Sequence, residues 1–216
     1  MPASLEPQWL AAREREARGD LDGARRIYEG VLALDPTQAF AWSRLSAIAS
    51  RQGRIREARE AALTGTELAQ RHRRWRALPW LTQQLLGFDE RAAVERAIAG
   101  ADWNHPLVLS QSAVLAQQLW LADAHATGLR LAEHALRAAP RSHLLHYVHG
   151  NLLRHLGRAA DATAAFERCL ALSPGVAEGH WALASHHPSE PRGARVPRVR
   201  AALDAAPDDP LQRAFL

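Results

Sequence analysis

The sequence predicts an all-α fold, an α-solenoid of about five to six helix–turn–helix repeats. Three observations predict it. The first is composition. The 216 residues are 47% hydrophobic, rich in Ala and Leu and poor in Val, Ile and Tyr. Ala and straight-chain residues lose little on entering a helix, whereas β-branched residues lose more. The second is proline spacing. Pro106, Pro140 and Pro174 stand 34 residues apart, and Pro36 precedes Pro106 by 70, which is two periods plus two residues. The third is the recurrence of small residues in register with those prolines. No segment alternates polar and apolar residues with β-branched enrichment, so no strand is expected.

The elements follow from placing each final proline at position 32. The clearest copy, ending at Pro174, has Gly150 at position 8, Leu153 at 11, Gly157 at 15, Ala162 at 20, Phe166 at 24 and Cys169 at 27. The first repeat puts Ala12, Gly19, Ala24, Tyr28 and Val31 in that register, and Arg15 at the large place. The second has Trp42 at position 4, Leu45 at 7, then Ser46, Gly53, Ala58 and Ala62. The third is the weakest: Leu81, Leu85, Val94, Ile98 and Ala101 fit, but Asp89 replaces the turn glycine. The fourth has Ala116, Leu119, Asp123, Gly128, Ala132 and Ala135. Small residues at 8 and 20 let the two helices of a repeat, A and B, approach closely. The aromatic at 24 fills the space between repeats. Glycine at 15 tolerates a positive φ where helix A ends. Proline at 32 cannot continue helix B. The predicted units are 5–36, 37–72, 73–106, 107–140 and 141–174, with the two extra residues near "QRHRRWR". Residues 175–216 form a degenerate sixth unit. It has a helix A around Trp181, a proline-interrupted stretch, a short helix from about Val199 to Ala205, and the start of a further helix. The apolar ending at Phe215 and Leu216 implies truncation or a partner that covers it.

Period and register together resemble the tetratricopeptide repeat, a family of right-handed superhelices. The resemblance implies a concave face lined by helix A at positions 2, 5, 9, 12 and 13. It also implies a scaffold that binds proteins or peptides there, without catalysis and without cofactor. In this sequence the candidate contacts are Arg13, Gln83, Gln117, Trp120, Tyr147, Asn151, Arg154, His155 and Trp181. Amides can bond a peptide backbone, and Trp or Tyr supplies buried area. One subclass clamps a C-terminal carboxylate with Lys and Asn. The corresponding places hold Trp9 and Arg13, then Ser43 and Ala47, and the chain has no Lys, so that mode is excluded.

Other features point less far. All 27 basic residues are Arg, yet 23 acids leave a formal charge of only +4. The run Arg71 to Arg76, "RHRRWR", can meet phosphates, but the modest charge and the lack of any accompanying motif make it a solvated turn and nucleic acid an unexpected partner. His143, His146 and His149 lie three apart, but positions 4 and 7 pack between helices and no Cys, Asp or Glu completes a set, so no metal is expected. The single Cys169 precludes an internal disulfide framework. The opening residues show no export signal and no apolar run is long enough to span a membrane, so a cytoplasmic protein is expected. "AEGHWALASHHP" followed by "RVRAALDAAPDDPLQRAFL" resembles the end of the repeat region in bacterial sulfotransferases that carry these repeats. That resemblance implies an enzyme only through a further domain, because these residues contain no phosphate loop.

Overall fold

The computed structural model describes residues 5–186 together with Pro197, Arg200 and Ala201. The described residues form twelve α-helices and one 3-10 turn, with no strand. The chain divides into two compact units, residues 1–108 and 109–216. The N-terminal unit contains α1 (Glu6–Ala17), α2 (Leu21–Leu34), α3 (Ala39–Arg51), α4 (Ile55–Arg71), a 3-10 turn (Trp75–Ala77), α5 (Leu78–Gly87) and α6 (Arg91–Ala99). The short α7 (Pro106–Ser110) spans the division. The C-terminal unit contains α8 (Ser112–Leu121), α9 (His125–Ala138), α10 (His143–His155), α11 (Ala159–Leu172) and α12 (Ala177–His186). The predicted short helix from Val199 to Ala205 lies largely outside the described residues, although Arg200 and Ala201 are helical.

The turns follow from backbone sterics. Gly19, Gly53 and Gly157 end α1, α3 and α10 with φ of 80°, 74° and 75°. Asp89 and Asp123, the two places without glycine, take φ of 58° and 59° in the same register. Asp is among the few residues that enter this left-handed region at modest cost, so the replacement keeps the turn. Arg73 also sits there, at 53°. It follows α4, whose helix runs on to Arg71 through the region of the two extra residues.

Prolines act in two ways. Pro36, Pro140 and Pro174 lie just beyond the ends of α2, α9 and α11, as expected of helix stops. Pro106 differs: it opens α7, where its missing N–H has no intrahelical partner to lose. The fourth helix A is also not continuous. It breaks at Gln111 between α7 and α8, and the Ser112 hydroxyl donates to the Leu109 carbonyl at 2.7 Å. Side-chain bonding of this kind offers the backbone an alternative to the helical ladder.

The core sits between helices, at the repeat positions. In the N-terminal unit Ala12, Ala24, Tyr28, Val31, Ala41 and Ile48 form one buried cluster, with Trp9, Trp42 and Leu45 packed against it. In the C-terminal unit Leu119, Leu131, Leu152, Leu153 and Phe166 are fully buried. Each such side chain contributes about 1.5–3 kcal/mol when removed from water. Position 4 has a polar task as well. The Trp42 indole donates to the Pro36 carbonyl at 2.9 Å, and the His146 and His180 Nε2 atoms meet the Pro140 and Pro174 carbonyls at 2.9 and 2.8 Å. A ring N–H six residues downstream thereby satisfies a carbonyl just past the end of helix B, where no helical donor reaches it.

Candidate functional site

Each unit carries its own groove. The larger, about 640 Å³, lies in the N-terminal unit. Its walls come from α1 (Trp9, Arg13), the start of α3 (Gln38, Phe40), the segment Arg73–Ala77, and α5 (Trp80), with Leu107 beside them. Three aromatic rings run along it. Trp9 and Phe40 lie 5.6 Å apart between centroids, and Phe40 meets Trp80 edge-on at 5.8 Å. Trp80 remains 47% exposed. Trp75 is buried on the wall, and its indole nitrogen has no hydrogen-bond partner. The lining includes four arginines, Arg13, Arg73, Arg74 and Arg76, and no Asp or Glu. Beside it, the Arg74 guanidinium donates to the Thr37 hydroxyl at 3.2 Å. The nearby Asp35 carboxyl is held below its ordinary value, first by the Thr37 hydroxyl and then by the Thr37 N–H and Gln38.

Behind this groove α1 buries a charge. Glu16 accepts from the Tyr28 hydroxyl at 2.8 Å and from Arg44 Nε at 3.0 Å, and a second Arg44 nitrogen reaches its other oxygen. Burial, and then the Glu16 carboxylate, push the Tyr28 hydroxyl far above its ordinary value. Arg44 is raised by the same carboxylate. The network keeps α1, α2 and α3 in one arrangement and so holds Trp9 and Arg13 where the groove needs them.

The C-terminal unit has a smaller groove, about 350 Å³, lined by Val114, Gln117, His143, Leu144, Tyr147 and Glu178 among others. A separate polar cluster joins α8, α9 and α10. The His155 ring stacks on His125 at 4.7 Å and meets Trp120 at 5.7 Å, and the Trp120 indole points to His155 Nε2 at 3.4 Å. Burial, and then His155, hold His125 below its ordinary value.

The residues expected to contact a ligand are thus divided. Arg13 lines the first groove; Gln117 and Tyr147 line the second. Trp120, Asn151, Arg154 and His155 belong to the polar cluster. Asn151 is fully buried: its amide donates to the Tyr147 carbonyl at 3.3 Å and accepts from Arg154 at 3.0 Å. It orients Arg154 and offers no surface of its own. Arg154 reaches on to Ser185 at 3.5 Å. Gln83 and Trp181 are exposed on α5 and α12. The repeat register alone assigns no binding role to Arg73, Arg74 or Trp80. Their signal in the sequence is the "RHRRWR" run followed by "PW", whose meaning depends on the aromatic row supplied from α1 and α3.

Residues 16–78 and 144–175 each match a family model described as tetratricopeptide repeat. The chain carries tetratricopeptide repeats. Solved structures agree at the level of fold. A MamA protein is 16% identical, with a TM-score of 0.51 over 94% of this chain and 92% of that one. A double mutant of MamA RS-1 is 12% identical, with a TM-score of 0.54 over 94% and 95%. A chain of the Cut9–Hcn1 hetero-tetramer of the APC/C is 16% identical, with a TM-score of 0.50 over 98% of this chain and 45% of its own length. No curated protein matches the chain. No described helix of this repeat protein is long and apolar enough to cross a membrane.

Proposed function

We propose that this chain is a non-catalytic scaffold whose repeats, divided as 5–36, 37–72, 73–106, 107–140 and 141–174, bind protein or peptide segments. The observation that carries the reading is that three helix-A residues outside the small and large places of the repeat register line open grooves, Tyr147 while also packing on Phe166. Arg13 lines one, and Gln117 and Tyr147 the other. Repeat units that stack by small residues leave such positions free for recognition. Arg154 and His155 extend the contact surface on α10, with Asn151 positioning Arg154. Trp120, Gln83 and Trp181 complete the set of contacts. The reading is supported by the family matches over residues 16–78 and 144–175, while the repeats between them are part of the proposal. A sulfotransferase connection draws only on residues from Ala177 onward, beyond both matches.

Selection from a displayed library of random peptides of about twelve residues, roughly 40 Å when extended, tests the reading on the full chain. The expected outcome is an enriched consensus that binds in the micromolar range, a Kd that corresponds to about −8 kcal/mol. Tyr147→Ala, or the pair Arg13→Gln and Trp80→Ala, weakens it about tenfold, depending on which groove the consensus occupies. Enrichment of no consensus at all sinks the scaffold reading.

A further inference from the structure

We infer that the N-terminal groove selects acidic peptide segments that carry an aromatic or aliphatic anchor. This rests on the peptide-binding reading above and names its partner class. Charge is the first argument. Four arginines line the groove without one lining carboxylate. Among the described residues, Arg13, Arg73 and Arg76 form no ion pair. Of the acids close in sequence to lining residues, Glu14 pairs with Arg18, Glu16 with Arg44 and Tyr28, and Asp35 with Thr37 and Gln38, with the Arg74 charge also acting on Asp35. A concave, half-apolar wall focuses such a field, and a ligand carboxylate gains charge-assisted bonds there.

Backbone conformation is the second argument. Arg73 holds the left-handed φ that Gly19, Gly53 and Gly157 hold elsewhere. A bulky residue pays for that conformation where glycine would not. Strain of this kind concentrates where a side chain has a task. Here it aims the chain so that Arg73, Arg74 and Arg76 all reach one groove.

The third argument concerns what lies between the charges. Phe40 meets Trp80 edge to face at 84°, and Trp9 packs tilted against Phe40 at 57°. Nucleobases bind on free, parallel ring faces that act as stacking platforms. A row of rings already engaged with one another at steep angles offers a notch for an apolar side chain instead, and Trp80 is the exposed lip of that notch. An acidic peptide therefore fits the row better than a single strand of nucleic acid.

The same displayed library provides the test. On the full chain the consensus is expected to place two or more Asp or Glu residues around one aromatic or aliphatic residue. Its affinity should fall about tenfold or more between roughly 0.01 M and 0.1 M salt, as the Debye length drops from about 30 to 10 Å. Arg73→Gly removes a charge and relaxes the turn, so weaker binding by that variant cannot be misfolding. It should weaken the consensus severalfold, and Arg76→Gln should add to the loss. Selection on the doubly substituted chain should lose the acids, and selection on Trp80→Ala should lose the apolar anchor. A neutral or basic consensus on the native chain, or an acidic one untouched by Arg73→Gly and Arg76→Gln, overturns this inference while leaving peptide binding intact. A deoxythymidine dodecamer that binds more tightly than the selected peptide also overturns it.

Discussion

The two units solve one problem differently: what to do with a polar residue on the inner side of a helix A. The N-terminal unit buries a carboxylate, Glu16, with its side chain 7% exposed, and clamps it with Arg44 and Tyr28. The C-terminal unit buries a neutral amide, Asn151, whose first partner is a backbone carbonyl one turn away. A buried charge depends on its counter-charge, whereas a buried amide depends only on a hydrogen bond. The N-terminal unit is therefore the more brittle to single substitutions. Its groove is also the charged one, so fold and recognition there share a dependence on arginine.

Removing one arginine from each unit tests that difference most directly. Arg44→Met leaves Glu16 buried without its counter-charge, bonded only by the Tyr28 hydroxyl. Full burial of such an orphan costs about 3–5 kcal/mol, and the one-third exposure of Arg44 lowers the expectation to about 2–4 kcal/mol. Arg154→Met removes one hydrogen bond to Asn151 and should cost only about 1 kcal/mol. Amide hydrogen exchange resolves the helices separately, so protection in α1–α3 should fall more than protection in α10. Equal losses would end the contrast.

Glycines sharpen the comparison with smaller effects. A Cβ at Gly150 would meet the buried Phe166 ring at 2.5 Å, and one at Gly65 would meet the Trp42 Cβ at 2.5 Å. Alanine at either place should destabilise by about 1–2 kcal/mol: overpacking costs about 1–3, and the better helix propensity returns about 0.5–1. Gly30, exposed in α2 with nothing near a Cβ, should show the opposite sign, a gain of about 0.5–1 kcal/mol. Thermal melts of the three variants decide this. Similar losses at Gly65 and Gly150 would mean that close packing at these repeat contacts is shared by both units, and that only their polar residues differ.

The same positions separate what is legible in the sequence from what is not. Gly150 and Gly157 are legible because each copy of the repeat imposes the same requirement at the same place, so five copies reinforce one another. Asp89 departs from that register in residue type, yet its backbone adopts the turn all the same. Asn151 falls in the register of exposed helix-A positions and is fully buried, because its amide turns back to the Tyr147 carbonyl and holds Arg154. The break at Gln111 accompanies a local bond from the Ser112 hydroxyl to the Leu109 carbonyl, which no periodicity encodes. The aromatic row of Trp9, Phe40 and Trp80 draws one ring from each of three successive helices A, and the arginines beside it come from the segment with the extra residues. No single repeat contains that combination, so a register read copy by copy cannot assemble it.

Mild acid should separate the two units by the least but most selective effect. In the C-terminal unit His149 is held below its ordinary 6.5, first by burial. Glu133, 3.9 Å away, opposes that shift, while His146 and Arg158 reinforce it. His125 is depressed likewise, by burial and then by His155, with Asp123 3.9 Å from its ring. A base whose folded pKa is depressed contributes stability above the unfolded value, and that contribution is lost as pH falls. The loss therefore begins near pH 6.5 and grows toward the lower folded values. In the N-terminal unit the shifted carboxyls are Asp20, lowered by the Gly23 N–H and then by Arg15, and Asp35; both start from 3.8. Their contributions persist until the pH falls below that value. Between about pH 6.5 and 4, protection in α9 and α10 should drop while that in α2 and α3 holds, and His149→Leu should flatten part of the response. Equal losses in both units, or a response unchanged by His149→Leu, would show that these histidines do not set the acid sensitivity of the C-terminal unit.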